Sequence, residues 1–138
     1  MSEFEICVSS QLTELGGIAQ FISERARAAG LDDQRVFDVQ MAVDEASTNT
    51  INHAYGGRRD GQLRVCCFVD GDDFVVRIID QGAPFDPETV PSPNLDAPIE
   101  ERQVGGLGLY FMRQLMDEVR FFSDPDQGNV LLMRKRRA

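Results

Sequence analysis

Residues 81–104 hold five of the chain's six prolines, at positions 84, 87, 91, 93 and 98, and show neither strand nor helix periodicity. Proline removes a backbone donor and clashes inside a helix or a central strand, so no regular element crosses this stretch. The fold must therefore be assembled from the segments on either side, joined by a long loop. Loops of this length inside a compact domain are uncommon and tend to be lids or binding loops, which makes residues 81–104 the candidate lid.

Before the lid, residues 4–9 alternate apolar and polar side chains, as a strand does. Residues 13–29 place Leu15, Ile18, Phe21, Ile22 and Ala26 at helical spacing, with Gly30 as a stop signal. A second helix starts at Asp32 or Asp33 and carries Val36, Phe37, Val39, Met41 and Val43. It runs to Tyr55, where Gly56-Gly57 breaks it. Strands over 62–69 and 74–79 follow, joined by Asp70-Gly71-Asp72-Asp73, a strong hairpin signal. Beyond the lid, Gly105-Gly106-Leu107-Gly108 leads into a helix over 109–117, with Leu109, Met112, Leu115 and Met116 facing inward. Strands over 119–123 and 130–133 close the chain. This order predicts an α+β fold: a two-layer sandwich whose mixed, mostly antiparallel sheet is covered by helices on one face.

A chain of 138 residues fits a single domain, 1–138. No apolar run reaches the ~18 residues of a membrane span, and the acidic start MSEFEICVSS lacks a signal peptide's basic end, so no membrane role and a cytoplasmic location are expected. The net charge of −9 argues against a direct nucleic-acid surface. Cys7, Cys66 and Cys67 are too few for a paired disulfide framework and read as reduced core thiols; with His53 the only histidine, a Cys/His zinc site lacks ligands. Thirteen of the fourteen basic residues are arginine, and the only lysine is Lys135. A P-loop is therefore excluded, because its lysine must follow a glycine loop at a helix start.

Three short constellations carry chemistry. In the second helix, residues 44–52 are rich in Asp, Ser, Thr and Asn, which prefer caps and turns, and such conflicts tend to sit at functional sites. At 100° per residue, Glu45, Asn49, Asn52 and His53 share one face. Phosphoryl transfer needs an oxygen ligand for Mg²⁺ and a base for a hydroxyl proton; Asn49 suits the first and Glu45 the second, although a solvated polar face has the same pattern. The second constellation is Asp80-Gln81-Gly82, a carboxylate ending an apolar strand. It suits the amino group of adenine, with Gly82 letting the base approach the backbone; equally, Asp80 could cap its own turn. The third is Gly105, Gly106 and Gly108 at the mouth of a helix, where free N–H groups and the helix dipole favour phosphate.

In order, Glu45-x-x-x-Asn49, Asp80-x-Gly82 and Gly106-x-Gly108 resemble the N-box and the two glycine boxes of the GHKL ATPases. The longer strings DEASTNTINHAYGG (44–57), DQGAPFDP (80–87) and GGLGLYFMRQLMDEV (105–119) are similar to the anti-sigma factor serine kinases of sporulation and stress switches, over nearly the whole chain. The resemblance implies a Bergerat-fold sandwich holding Mg²⁺ and ATP between the second helix and the lid. Glu45 would be the general base and Asn49 the Mg²⁺ ligand. Asp80 would take adenine, with Gly82 and Phe85 beside it and Asn52 and His53 bordering the nucleotide. Gly105, Gly106, Leu107 and Gly108 would hold phosphates. The substrate would be a serine of an anti-anti-sigma (STAS-type) protein, with a sigma factor as alternative partner and a homodimer as the family's assembly.

Two positions depart from the family. An arginine normally precedes the second glycine box; that register holds Val104 here, and the nearest arginine is Arg102. The final strand often carries Thr after its glycine, and here Asn129 follows Gly128. A module that sequesters a partner in an ATP-dependent way without phosphorylating it is the alternative function. A histidine-kinase catalytic domain fits less well, since no helix with a phospho-accepting histidine accompanies the motifs.

Overall fold

The computed structural model describes residues 2–84 and 104–138, with 104–107 described by backbone alone. Phe85, Arg102 and the prolines from 87 to 98 lie outside the described residues.

The chain opens with β1 (Glu3–Ser9), a 3₁₀ turn at Leu12–Glu14 and helix α1 (Leu15–Ala28). Ile18, Ile22 and Ala26 recur along one side of α1 and are buried. Gly30 adopts φ +95° and lets the Leu31 N–H reach back to the Ala26 carbonyl at 3.2 Å, a Schellman-type stop that buries Leu31 as its hydrophobic clasp. Helix α2 (Asp33–Asn49) starts where Asp32 accepts the Arg35 N–H at 2.9 Å. Its core stripe is Val36, Val39, Ala42, Val43, Ala46 and Ser47. Phe37 and Met41 fall off that stripe and stay exposed at 55% and 44%.

Strands β2 (Gln62–Asp70) and β3 (Asp73–Asp80) form the expected hairpin around Gly71-Asp72. Gly71 alone of the two turn residues has positive φ, the sign pattern of a turn with glycine first. Helix α3 (Val104–Leu115) leads to β4 (Glu118–Asp124) and β5 (Gly128–Arg136). The sheet order is β1-β2-β3-β5-β4, and all four pairings are antiparallel, so the mixed sheet expected from sequence is here purely antiparallel. β4 pairs with β5 alone and runs parallel to β3, and β5 fills the place between them antiparallel to both.

One face of the sheet buries Leu63, Val65, Cys67, Phe74, Val76, Ile78, Leu131 and Met133 together with the helix stripes. On the other face Cys66, Ile79 and Val130 form a smaller buried cluster. Here arginines bridge acidic neighbours: Arg64 to Glu5 at 2.5 Å, Arg77 to Glu3, and Arg134 to Asp70 at 2.9 Å and Glu118 at 3.2 Å. Long arginine side chains cover apolar surface with their aliphatic stems; Arg77 Nε is itself buried, with no hydrogen-bond partner among the described residues. Burial raises the Cys66 thiol to about 11 and the Cys67 thiol to about 12, so both stay protonated at neutral pH, as expected of reduced core cysteines, whereas Cys7, on edge strand β1, is exposed and does not belong to the core. Among the described residues no helix is long and apolar enough to cross a membrane.

Candidate functional site

β3 is the central strand, and its last residue is Asp80, in register with Leu63 on β2 and Asn129 on β5. Strand alternation puts Asp80 on the helix-facing side with Val76 and Ile78, where it is only 8% exposed. A carboxylate in that position must be compensated by hydrogen bonds. The Gly82 N–H donates to its Oδ1 at 2.9 Å, and Asn129 Nδ2 donates to the same oxygen at 2.8 Å. Asn129 Nδ2 also donates to the Gly82 carbonyl at 2.9 Å. Among the described residues no donor bonds to Oδ2. Of the two roles considered for Asp80, the cap of its own turn is observed, and it uses one oxygen only.

Asp80 lines a cavity of about 490 Å³, a size that suits a nucleotide-scale ligand. Ala46, Ala54, Leu109, Met112 and Leu131 supply apolar wall, while Asn49, Thr50, His53, Asp80, Ser123 and Asn129 supply polar groups. A larger hollow of about 780 Å³ lies between Gly30, Asp72, Asp73 and the 136–138 tail. It is a structural seam: Arg137 bridges it by donating to the carbonyls of Ala29 at 2.9 Å and Gly71 at 3.0 Å.

The second helix does not continue as α-helix to Tyr55. Residues Thr50–Ala54 form a π turn, in which the Tyr55 N–H donates to the Thr50 carbonyl at 3.1 Å. A π turn holds more residues per revolution, so it rotates the succeeding residues against the α-helical register, and such turns concentrate at functional sites. Asn49 and His53 line the cavity together, as expected, but Asn52 is exposed and is not among the lining residues. The expected four-residue face is thus corrected at Asn52. The Tyr55 hydroxyl pins the turn to the sheet, donating to the Gln62 carbonyl at 2.6 Å and accepting the Gln81 N–H at 2.8 Å.

Two glycines act differently from the sequence expectation. A Cβ at Gly82 would collide with the Ala54 carbonyl, and the next N–H, of Ala83, donates to that same carbonyl at 2.8 Å. Gly82 therefore allows β3 to close against the π turn; its missing side chain makes room for protein backbone, where room for a base was expected. Gly105, Gly106 and Gly108 were expected to precede a helix opening at Leu109, but the helix is already wound from Val104. Gly105, Gly106 and Leu107 lie in its first turn, where N–H groups largely lack intrahelical acceptors and can still meet an anion. Gly108 lies deeper, and a Cβ there would collide with Glu45 Oε1 and come within 3.2 Å of Asn49 Nδ2. Gly108 thus brings α3 onto the two α2 residues singled out for transfer chemistry. Glu45 is half-buried at this helix–helix contact and does not itself line the cavity.

Among the described residues no group of three or more His, Cys, Asp or Glu could hold a metal. A hard cation here would need oxygens from a bound phosphate chain, with Asn49 contributing an amide oxygen, and Mg²⁺ habitually binds in that way. Asn129, Thr50 and Ser123 line the cavity without having been singled out as site residues. The signal at Asn129 was a polar residue at an inward β5 position, two before Leu131 and four before Met133.

A family model of the histidine kinase-like ATPase domain matches residues 8–135. The chain is 34% identical over 118 residues to the serine-protein kinase RsbW of Listeria monocytogenes, covering 83% of this chain and 74% of that protein. It is 36% identical over 125 residues to the serine-protein kinase RsbW of Bacillus subtilis, covering 84% and 75%. In structure it is similar to the RsbU and RsbW domains of Rv1364c from Mycobacterium tuberculosis, with a TM-score of 0.69 and 17% identity over 99% of this chain and 32% of that one. It is also similar to the nucleotide-free catalytic domain of histidine kinase ThkA, with a TM-score of 0.57 and 15% identity over 99% and 97%. At those identities the two structures speak for the fold alone.

Proposed function

Because the chain belongs to the RsbW family of serine-protein kinases, within the histidine kinase-like ATPase domains, we propose that it transfers the γ-phosphoryl group of ATP to a serine of an anti-anti-sigma (STAS-type) protein. By holding either that protein or a sigma factor, it governs sigma-factor availability in the cytoplasm as a single kinase domain, 1–138. The observation that carries the nucleotide reading is Asp80. It is a buried carboxylate at the end of the central strand, with Oδ1 held by two donors and Oδ2 left to accept the adenine amino group.

The apolar wall around Leu109, Met112 and Leu131 takes the base, so the triphosphate extends toward Asn49 and the first turn of α3. Gly105, Gly106 and Leu107 offer N–H groups there, and Gly108 sets the distance between the helices. Bound Mg²⁺ would supply charge neutralisation to the β- and γ-phosphates, with Asn49 as its protein ligand. Glu45, next to Asn49 across from Gly108, accepts the proton of the attacking serine hydroxyl. The serine oxygen forms its bond to the γ-phosphorus as the bond to the bridging oxygen of ADP breaks. His53, on the cavity wall, borders the nucleotide.

Purified protein incubated with γ-labelled ATP and anti-anti-sigma proteins from its own genome should label a partner serine, and Glu45→Ala should remove the label. Nucleotide binding with no transfer to any such protein would replace the kinase reading with that of a sequestering module.

A further inference from the structure

We infer that Asn129 is a specificity residue that makes the site choose adenine over guanine, by restricting Asp80 to a single accepting oxygen. The inference rests on the reading of Asp80 as the base acceptor. A carboxylate has two oxygens with about four acceptor directions. At Asp80 both directions of Oδ1 are taken, by the Gly82 N–H at 2.9 Å and by Asn129 Nδ2 at 2.8 Å. The second hydrogen of the Asn129 amide is engaged as well, at 2.9 Å to the Gly82 carbonyl, so the orientation of the amide is set by two acceptors on its nitrogen. What remains for a ligand is one carboxylate oxygen.

The two purines differ in what they ask of a carboxylate. Guanine presents N1–H and N2–H side by side, a pair that matches both oxygens of one carboxylate. Adenine presents a single donor, the N6 amino group, next to an acceptor nitrogen. A carboxylate with both oxygens open would suit guanine at least as well as adenine. With Oδ1 saturated, guanine must bury one of its two donors without a partner, the situation that binding sites reject most strongly. Asn129 lines the same cavity as Asp80, so its amide is placed where the base must sit.

The arrangement depends on register: Asn129 lies directly across from Asp80 on the neighbouring strand. Gly128, just before it, has φ +107°, and a Cβ there would collide with the Asp80 carbonyl. The β5 backbone is thereby held close enough to β3 for the amide to span the Asp80 carboxylate and the Gly82 carbonyl together.

The test is calorimetric titration of ATP and GTP into the wild-type chain and into Asn129→Ala, Asn129→Leu and Asn129→Thr. The wild type should prefer ATP by about a hundredfold. Asn129→Ala should narrow that ratio at least tenfold, chiefly through tighter GTP binding. Asn129→Leu removes the donor at similar volume and should do the same, which guards against a cavity effect at alanine. Asn129→Thr returns a donor to Oδ1 and should restore most of the preference. An unchanged ATP-to-GTP ratio in both Asn129→Ala and Asn129→Leu, or equal weakening of both nucleotides, would overturn the assignment. Asp80→Asn separates the two levels: if it still binds ATP like the wild type, the reading of Asp80 itself fails; if it loses ATP while the Asn129 variants keep the ratio, only the role of Asn129 fails.

Discussion

The two ends of the cavity are built by different means. At the proposed base end, Asp80, Gly82 and Asn129 form a closed set of hydrogen bonds between two adjacent strands and the turn that leaves one of them. At the proposed phosphate end, Asn49 on the cavity wall and Glu45 just outside it meet α3 at a place kept open by a missing side chain at Gly108. The first end is rigid because sheet register and satisfied donors determine it. The second depends on how closely two helices approach. In the proposed site, base recognition is thus preorganised, whereas the transfer machinery is assembled from packing.

Glu45→Ala should act on the phosphate end alone and have the largest effect: transfer to the partner serine falls by about 10²–10⁴, the range for loss of a general base. ATP affinity measured in parallel should stay within about threefold. A large loss of affinity would break the comparison by showing that the two ends are coupled.

Asp80→Asn should act on the base end. It puts an amide where an acceptor is needed, and losing a hydrogen bond to a charged group at ~1.5–3 kcal/mol weakens ATP by at least about tenfold. Wild-type affinity in a nucleotide displacement assay would remove the adenine site from Asp80.

Gly82→Ala should destabilise the fold by about 1–3 kcal/mol in chemical denaturation, because the new Cβ meets the Ala54 carbonyl and backbone must move. Gly108→Ala sharpens the contrast. Its Cβ meets the end of a flexible carboxylate, and alanine is a better helix former than glycine by ~1 kcal/mol. Stability should therefore hold or rise by up to about 1 kcal/mol while transfer falls by about tenfold, since the displaced group is the proposed base. A drop in both would mean that Glu45 cannot yield and that the helix contact is as rigid as the strand pair.

The sequence was most informative where interactions are local. The Asp70-Gly71 hairpin, the stop at Gly30, the cap at Asp32 and the strand ending in Asp80 all derive from turn chemistry and periodicity over a few residues, and each lies where expected. The inward set Leu109, Met112, Leu115 and Met116 was also legible, though its helix begins five residues earlier than the glycines suggested and ends at Leu115. Glycine is a poor helix former, so local propensity argued for a loop; the observed first turn departs from that preference by about 1 kcal/mol per glycine.

Asn52 was misplaced for a related reason: a constant 100° per residue leaves no place for the π turn at Thr50–Ala54, which the Tyr55 hydroxyl ties to Gln62 and Gln81. Asn129 could be noticed as an unusual residue but not assigned, because its meaning lies in a partner 49 positions away.

The amino-acid sequence alone thus determined the order of elements, the absence of a P-loop lysine and the acidic strand end at Asp80, since these depend on residue type and short-range geometry. Only the tertiary structure decided that Asn129 closes one oxygen of Asp80, that Gly82 faces Ala54 and that Gly108 faces Glu45. Those contacts depend on strand register and on the approach of packed elements, which are settled by burying the core as a whole.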